Sequence, residues 1–285
     1  MELLRISKAG RTAACGLLLL LLLSSCSPLE KTPEQWFDFT WSGLAGCDEL
    51  TFNGLAVLDR GNQTGQGESL RYTGELRAHR ELHMSAQPAV NAALLPGNSL
   101  RAAGLTGDSG WSAKLYLADG IWQTAVPLEE DALRQGVARL NPLDQLEEIR
   151  QTSHKHITTE SGAARGTMVL RIEIDPDEAS LRLKERLLSE MHQLGEDWKE
   201  RLIDVPPDQQ EALQNELLLV WTAGNEQLQH MLGQMKAEPV YHLTIDRRSG
   251  LPARLTSETV VTYLSAEGKE QQEVLRIDNQ FKSYK

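Results

Sequence analysis

The sequence has few cysteines, few aromatic residues and fewer basic than acidic residues. Its 285 residues include three cysteines, and aromatic residues make up 5% of the chain. This small number excludes a small scaffold stapled by several disulfides. The 29 basic and 40 acidic residues give a net charge of −11. Such an acidic balance argues against nucleic acid as a partner, because the phosphate backbone attracts basic surfaces.

Motifs for common catalytic chemistry are also missing. The chain has no phosphate-cradling glycine loop, no nucleophile elbow and no paired cysteine motif. The two imidazoles of His154-Lys155-His156 lack an obvious third ligand, which favours a structural role over a metal site. The acidic groups at 129–131 and 147–148 are typical of helix surfaces, and nothing places an acid and a base across a substrate. We therefore predict no enzymatic activity, no metal and no cofactor.

The clearest signal lies in the first 26 residues. Three basic residues precede an apolar run from Ala13 to Leu23, which ends in seven consecutive leucines. This order is typical of an export signal, and the run is shorter than the roughly 20 residues that span a bilayer. Leu23-Ser24-Ser25-Cys26 resembles the lipobox of bacterial lipoproteins. The resemblance implies cleavage of 1–25, acyl chains such as palmitate on Cys26, and a mature chain anchored at the extracytoplasmic face of a membrane. The alternative is an ordinary cleaved signal followed by a cysteine by chance.

The mature chain is strongly acidic and has one cysteine besides Cys26. Without residues 1–25 it holds 26 basic and 39 acidic residues, a net charge of −13. This average charge predicts repulsion from anionic headgroups, so attachment is expected through the lipid alone. Residues 26–34 form a short tether, and residues 35–285 are sufficient for one domain. Cys47 lies among apolar neighbours, which favours a small buried hydrophobe over a reactive thiol.

Alternation of apolar and polar residues predicts an antiparallel sheet. The longest alternating stretch, Leu70 to Met84, predicts one strand with a bend or bulge near Gly74 or Arg80. Asp119-Gly120 between apolar runs predicts a hairpin over 111–126. Further strands are predicted at 51–59, 154–159, 166–174, 240–246, 253–264 and 273–281, and a loop at 87–110.

Other segments have the period of helices. We predict helices at 35–45, 127–138 and 142–149. The first is expected to pack on the sheet, with contact to lipid as the alternative. Segment 177–235 predicts two longer helices broken at Val205-Pro206-Pro207, a helical hairpin inserted between strands. The predicted class is therefore α+β, a curved antiparallel sheet with helices and an inserted helical hairpin.

Several segments resemble the LolA/LppX-like superfamily of exported carriers and receptors. The strand at 241–246, the turn Ser249-Gly-Leu-Pro252 and segment 277–284 resemble its C-terminal end. Segment 115–122 resembles its display hairpin, and 141–146 the short helix that follows. The resemblance covers most of 35–285 and is greatest to Gram-positive lipoproteins. It implies a half-barrel with helices on its concave side, although hairpin 177–235 is larger than in the simplest carriers.

Together these features predict an anchored envelope protein that binds or carries a lipid or lipid-linked molecule. The alternative is a signalling or assembly lipoprotein that binds a protein partner. The apolar face of the sheet is expected to line a cavity, with core packing as the alternative, and hairpin 177–235 is expected to cover its mouth. The candidate lining residues are Leu76, Leu82, Met84, Leu115, Leu117, Met168, Leu170 and Ile172.

Overall fold

The structure is a computed structural model that describes residues 31–61, 68–89, 111–118, 121–124, 139–202 and 206–285. Several predicted features lie outside these residues. They are the export signal with Cys26, most of the tether, most of the loop at 87–110, the Asp119-Gly120 turn and the helix at 127–138.

In the described residues, ten strands form one open antiparallel sheet. They are β1 (Leu50–Arg60), β2 (Glu68–Arg77), β3 (Glu81–Pro88), β4 (Trp111–Ala118), β5 (Ile121–Thr124), β6 (Lys155–Glu160), β7 (Thr167–Ile174), β8 (Lys236–Asp246), β9 (Pro252–Leu264) and β10 (Glu270–Lys282). Their order is β5-β4-β3-β2-β1-β10-β9-β8-β7-β6, so β5 and β6 are the two edges. The predicted curved α+β half-barrel is confirmed.

Four helices accompany the sheet in the described part of the chain. They are α1 (Pro33–Ala45), α2 (Pro142–Gln151), α3 (Pro176–Arg201) and α4 (Pro207–Gly233). Each begins with proline, whose fixed φ suits the first turn and whose missing N–H would have no partner there. The side chains of Thr32 and Asn141 cap α1 and α2 by accepting backbone N–H groups of Gln35 and Leu143.

The chain builds the sheet from its centre out to one edge, crosses to the opposite edge and returns to the centre. Strands β1 to β5 follow one another to the first edge. The connection that contains α2 then leads to β6 at the opposite edge. After β7, the helical hairpin of α3 and α4 precedes β8, and β10 finally pairs with β1. The central pairing therefore joins the two ends of the domain.

One face of the sheet forms the hydrophobic core. In β7, the even-numbered residues 168–174 are buried and the odd-numbered ones are partly exposed. The same alternation buries Leu243 and Ile245 in β8. This pattern is expected for a sheet with one face against helices and the other in solvent.

The predicted single strand from Leu70 to Met84 is wrong, because this stretch is the hairpin of β2 and β3. The chain reverses at Ala78 and His79, which have φ values of 49° and 59°. Residues with side chains rarely adopt such angles, and neither residue is a typical turn former. Leu76 pairs with Leu82 across the hairpin, so both still face the core. At Gly74 the pairing continues without a bulge.

The helical hairpin is held together near the middle of its helices. The indole N–H of Trp221 in α4 donates to the carbonyl of Met191 in α3 at 3.1 Å. Gly195 permits this contact, since a Cβ there would lie 2.8 Å from the indole nitrogen. The start of α3 is joined to β8 by the Ala237 N–H, which donates to the Ser180 hydroxyl at 2.9 Å. Within the described residues, no helix has the length and apolar character needed to cross a membrane.

Candidate functional site

An apolar cavity of about 330 Å³ lies on the core side of the sheet. We call it the α1–α2 cavity, because these helices form two of its walls. The turn between β2 and β3 and the hairpin of β4 and β5 form the others. Its lining residues are Trp41, Leu44, Ala45, Cys47, Leu76, His79, Leu117, Trp122, Leu143, Glu147 and Arg150.

The end of α1 is fixed close to the sheet and supplies much of the lining. Leu44 is buried, and a Cβ on Gly43 would lie 3.1 Å from Leu251. Gly46 ends the helix, and the chain then turns into β1. Trp41 and the exposed Ala45 line the wall of the cavity.

Charged groups at the cavity are paired with one another. The Arg150 guanidinium donates to both carboxylate oxygens of Glu147, at 3.0 and 2.6 Å. These hydrogen bonds lower the pKa of the Glu147 carboxyl. The same guanidinium lies 5.4 Å from the centre of the Trp41 ring. The His79 imidazole contacts the Asp48 carboxylate. An incoming ligand would therefore meet neutralised charges at the rim and apolar groups inside.

The Cys47 thiol lines the cavity as a free, buried group. Its side chain is buried and its Sγ donates to the Gly43 carbonyl at 3.4 Å. Burial, and then the charge of Asp48, raise the pKa of this thiol. The predicted burial of Cys47 is confirmed, and its chemical role stays a prediction.

Two of the eight predicted lining residues, Leu76 and Leu117, line this cavity. The other six are Leu82, Met84, Leu115, Met168, Leu170 and Ile172, and they belong to the hydrophobic core cluster. Their role in ligand binding stays a prediction. The lining residues that were not predicted from the alternation of apolar and polar residues come mainly from helix faces and turns. Alternation along strands gives no signal for these positions.

The helical hairpin contributes no lining residue to the α1–α2 cavity among the residues that the structure describes. It packs on β8 and β9 instead. The expectation that it covers the mouth is therefore not met for this cavity. Its second helix, α4, is largely exposed and has one buried residue, Leu232. Leu219 and Val220 on α4 are 71% and 62% exposed.

The histidine and acidic candidates occupy structural positions. His154 precedes β6, and its imidazole lies 3.1 Å from the Glu178 carboxylate. In the described part of the chain, no three His, Cys, Asp or Glu side chains are grouped to hold a metal ion. Glu148 contacts Arg186 of α3 at 3.3 Å. The acidic group at 129–131 lies outside the described residues.

Two larger grooves lie on the opposite, polar face of the sheet. Their volumes are about 620 and 440 Å³, and both are lined in part by Leu55 and Asp278. Several arginines of this face are engaged by carboxylates of their own or neighbouring strands, including Arg254 with Asp278 at 2.7 Å. The mixed, solvated lining is less suited to an apolar ligand than the α1–α2 cavity.

No protein-family model and no curated protein matches the sequence. Solved structures with a similar chain path include lipovitellin, which is 9% identical, with a TM-score of 0.41 over 83% of this chain and 25% of lipovitellin. This chain thus spans about a quarter of that protein. A LolA superfamily protein from Nitrosomonas europaea is 8% identical, with a TM-score of 0.26 over 90% of this chain and 94% of its own.

An outer membrane lipoprotein-sorting protein domain from Vibrio parahaemolyticus is also similar. It is 8% identical, with a TM-score of 0.25 over 88% of this chain and 94% of its own. All three TM-scores are low, so the fold assignment rests on the sheet and its pairing, and function must be inferred from the site itself.

Proposed function

We propose that this protein is an exported lipoprotein that binds a hydrophobic ligand, the acyl part of a lipid or lipid-linked molecule. Acyl chains on Cys26 would hold it at the extracytoplasmic face of a membrane. The observation that carries the proposal is the α1–α2 cavity, whose inner lining is mostly aliphatic and aromatic. Its volume of about 330 Å³ falls within the range of roughly 300–1,000 Å³ that is usual for small-molecule pockets.

The chemistry of the lining favours an apolar group over an ion. Because Arg150 and Glu147 neutralise each other, the charged residues that the structure describes at this lining offer little to an ionic ligand. Burial of an ion without a partner is costly, whereas burial of methylene groups is favourable. Ala45, His79 and Arg150 are exposed, so the cavity is reachable from solvent beside them. An acyl chain therefore has both a suitable lining and a route to it.

Solvent extraction of the purified protein, followed by mass spectrometry of the extract, tests ligand binding. We expect the solvent to release a bound lipid. The acyl chains on Cys26 are covalently attached and remain with the protein, so the two are distinguished. An extract without lipid from protein purified under mild conditions would contradict ligand binding.

Detergent phase partitioning tests the anchor. Wild-type protein is expected in the detergent phase with residues 1–25 removed. Cys26→Ala is expected either to keep its signal or to appear unacylated in the aqueous phase. Equal partition of both forms into the aqueous phase, with the signal removed from both, would contradict the lipobox assignment.

A second candidate function is binding of a protein partner at the cell envelope. The exposed apolar side chains of α4 favour it, since contiguous apolar surface commonly marks an interaction site. They are Leu213, Leu218, Leu219 and Val220. A co-purifying protein with no extractable lipid would place this candidate first.

A further inference from the structure

A partly exposed aromatic pair lies at the start of α1, and its Trp36 also packs against the hydrophobic core. The rings of Trp36 and Phe39 meet edge to face, with centroids 5.8 Å apart. The Lys31 ammonium lies 4.8 Å from the centre of the Trp36 ring and 4.6 Å from that of Phe39. Phe39 is 43% exposed although it is aromatic, and Trp36 is partly exposed. The first turns of α1 thus present aromatic rings and the Lys31 cation to the surroundings, together with the exposed carboxylates of Glu34 and Asp38.

Two turns of the sheet bring further cations to the same place. Phe39 lies against the turn between β8 and β9, where a Cβ on Gly250 would be only 2.1 Å from its ring. That turn carries Arg247 and Arg248, and the Arg247 N–H donates to the Gly166 carbonyl at 3.0 Å. Gly166 belongs to the turn between β6 and β7, which also carries Arg165. The turns therefore abut, and their three arginines are exposed.

Several other arginines of the sheet are paired with carboxylates. Arg171, Arg254 and Arg276 each have a carboxylate within 2.7 Å. By contrast, none of the cations at this end forms an ion pair with a residue that the structure describes.

The nearest acid of the turn, Asp246, is engaged by the backbone, and its charge also interacts with that of Arg248. It accepts the N–H groups of Arg248 and Ser249 at 2.9 and 2.8 Å. Against Asp246 and the exposed Glu34 and Asp38 of α1, the four cations leave a small excess of positive charge at this end, in a protein that is strongly acidic overall.

We propose that this cationic–aromatic end, formed by Lys31, Trp36, Phe39, Arg165, Arg247 and Arg248, docks on the headgroups of an anionic membrane surface. The inference rests on the anchor proposed above. Aromatic rings are enriched at the membrane interface, and clustered basic side chains are attracted to anionic lipid. Uncharged or cationic surfaces would gain nothing from the unpaired arginines.

The short tether favours a membrane as the surface on which the cationic–aromatic end docks. Cys26 precedes Lys31 by five residues, which reach at most about 18 Å when fully extended. The start of α1 must therefore stay close to the bilayer once Cys26 is acylated. Repulsion expected from the net charge of the whole chain acts weakly here, because salt screens charges beyond a Debye length of roughly 8–10 Å. The local cations are the charges nearest to the headgroups.

Docking would also fix the position of the α1–α2 cavity relative to the membrane. Trp41 lines the cavity two residues after Phe39 on the same helix. Two residues rise by only about 3 Å along a helix. The cavity would therefore lie within about one helical turn of the docked end of α1, close to the membrane that supplies the acyl chain.

The test uses the full, acylated protein in vesicles of phosphatidylcholine and phosphatidylglycerol whose acyl chains carry bromine, a quencher of tryptophan fluorescence. Flotation and the mass of acylated Cys26 are recorded on the same sample. We expect Trp36→Phe to remove about half of the quenching, because the other tryptophans lie farther from the anchored end. Combined Arg165→Gln, Arg247→Gln and Arg248→Gln should lower the quenching to about half in anionic vesicles, and high salt should do the same to wild type.

The matched control neutralises two exposed lysines at the opposite end of the sheet, Lys236→Gln with Lys269→Gln. It should leave the quenching unchanged. Acylated protein that floats but is quenched equally in wild type, Trp36→Phe and the arginine variant would overturn the proposed docking while leaving the anchor intact. Protein without acyl chains on Cys26 would overturn the anchor and, with it, the docking that rests on the anchor.

Discussion

Adjacent side chains of β2 have opposite environments. Leu76 is 4% exposed and packs in the core. Glu75 lies on the other face, where its carboxylate accepts two hydrogen bonds from Arg77 at 2.9 Å. The register of β2 against β1 and β3 therefore determines which of the two is buried.

We expect Leu76→Asp to lower the free energy of unfolding by roughly 3–5 kcal/mol, because it buries a charge without a partner. Glu75→Gln, the control at the neighbouring position, should leave the denaturation midpoint almost unchanged. Urea denaturation of both variants measures this. Equal midpoints would mean that the two faces of β2 have been exchanged.

The Glu178 carboxylate in the first turn of α3 binds the short segment between α2 and β6. It accepts the N–H groups of His154 at 2.8 Å and Ser153 at 3.1 Å, and it pairs with Arg182. These hydrogen bonds lower the pKa of Glu178 from 4.5 to about 2, and the bond from the His154 N–H has the largest effect. Since its pKa is lower in the folded protein than in the unfolded chain, the stabilisation is present above pH 4.5 and is lost as the pH falls toward 2.

Glu178→Gln should therefore lower the free energy of unfolding by about 1.5 kcal/mol at neutral pH. The difference from wild type should shrink as the pH falls from about 5 to about 2. Urea denaturation across this range measures it, with Glu185→Gln on the exposed face of α3 as the control. A difference that stays constant with pH would contradict the assignment of these hydrogen bonds to the charged carboxylate.

At the scale of elements, β1 and β2 are locked by a reciprocal pairing of aromatic rings and glycines. Phe52 pairs with Gly74, and Gly54 pairs with Tyr72. A Cβ on Gly74 would lie 2.1 Å from the Phe52 ring, and one on Gly54 would lie 2.0 Å from the Tyr72 ring. Each ring therefore lies over the glycine of the neighbouring strand.

We expect Gly74→Ala to lower the free energy of unfolding by about 1–3 kcal/mol, because the methyl group must displace the Phe52 ring. Gly61→Ala is the control, since its Cβ would make only an ordinary contact of 3.5 Å. Thermal or chemical denaturation of the two variants measures the difference. A Gly74→Ala protein as stable as the control would show that the position of the Phe52 ring does not require a glycine at residue 74.

Elements with a strong local pattern could be predicted from the sequence, whereas the reversal within 70–84 could not. The alternation of β7 and the apolar stripes of α3 and α4 indicate their elements directly. In contrast, Ala78 and His79 adopt positive φ without Gly or Asn, so the turn has no sequence signal. Because the turn leaves Leu76 and Leu82 on the same face, the alternation continues through it and conceals it.

At the scale of the whole molecule, the candidate sites depend on contacts between distant segments. The inward face of the sheet could be predicted, because alternation identifies it. Which inward residues border a void could not, since that depends on where α1 and α2 end. Likewise, the cations of the cationic–aromatic end come from the tether and two turns, and the average charge of the chain obscures them.

Photolabelling with a fatty acid that carries a diazirine on its acyl chain tests the central claim most directly, in membranes that contain the acylated protein. If the α1–α2 cavity binds acyl chains, the label should be found on peptides that contain Trp41 to Cys47 and Leu143 to Arg150. Ala45→Trp should block the mouth and reduce this labelling about tenfold, a loss of roughly 1.4 kcal/mol of binding. Ala212→Trp on the exposed face of α4 should leave it unchanged. Labelling that is confined to α4, or that Ala45→Trp does not reduce, would contradict the account.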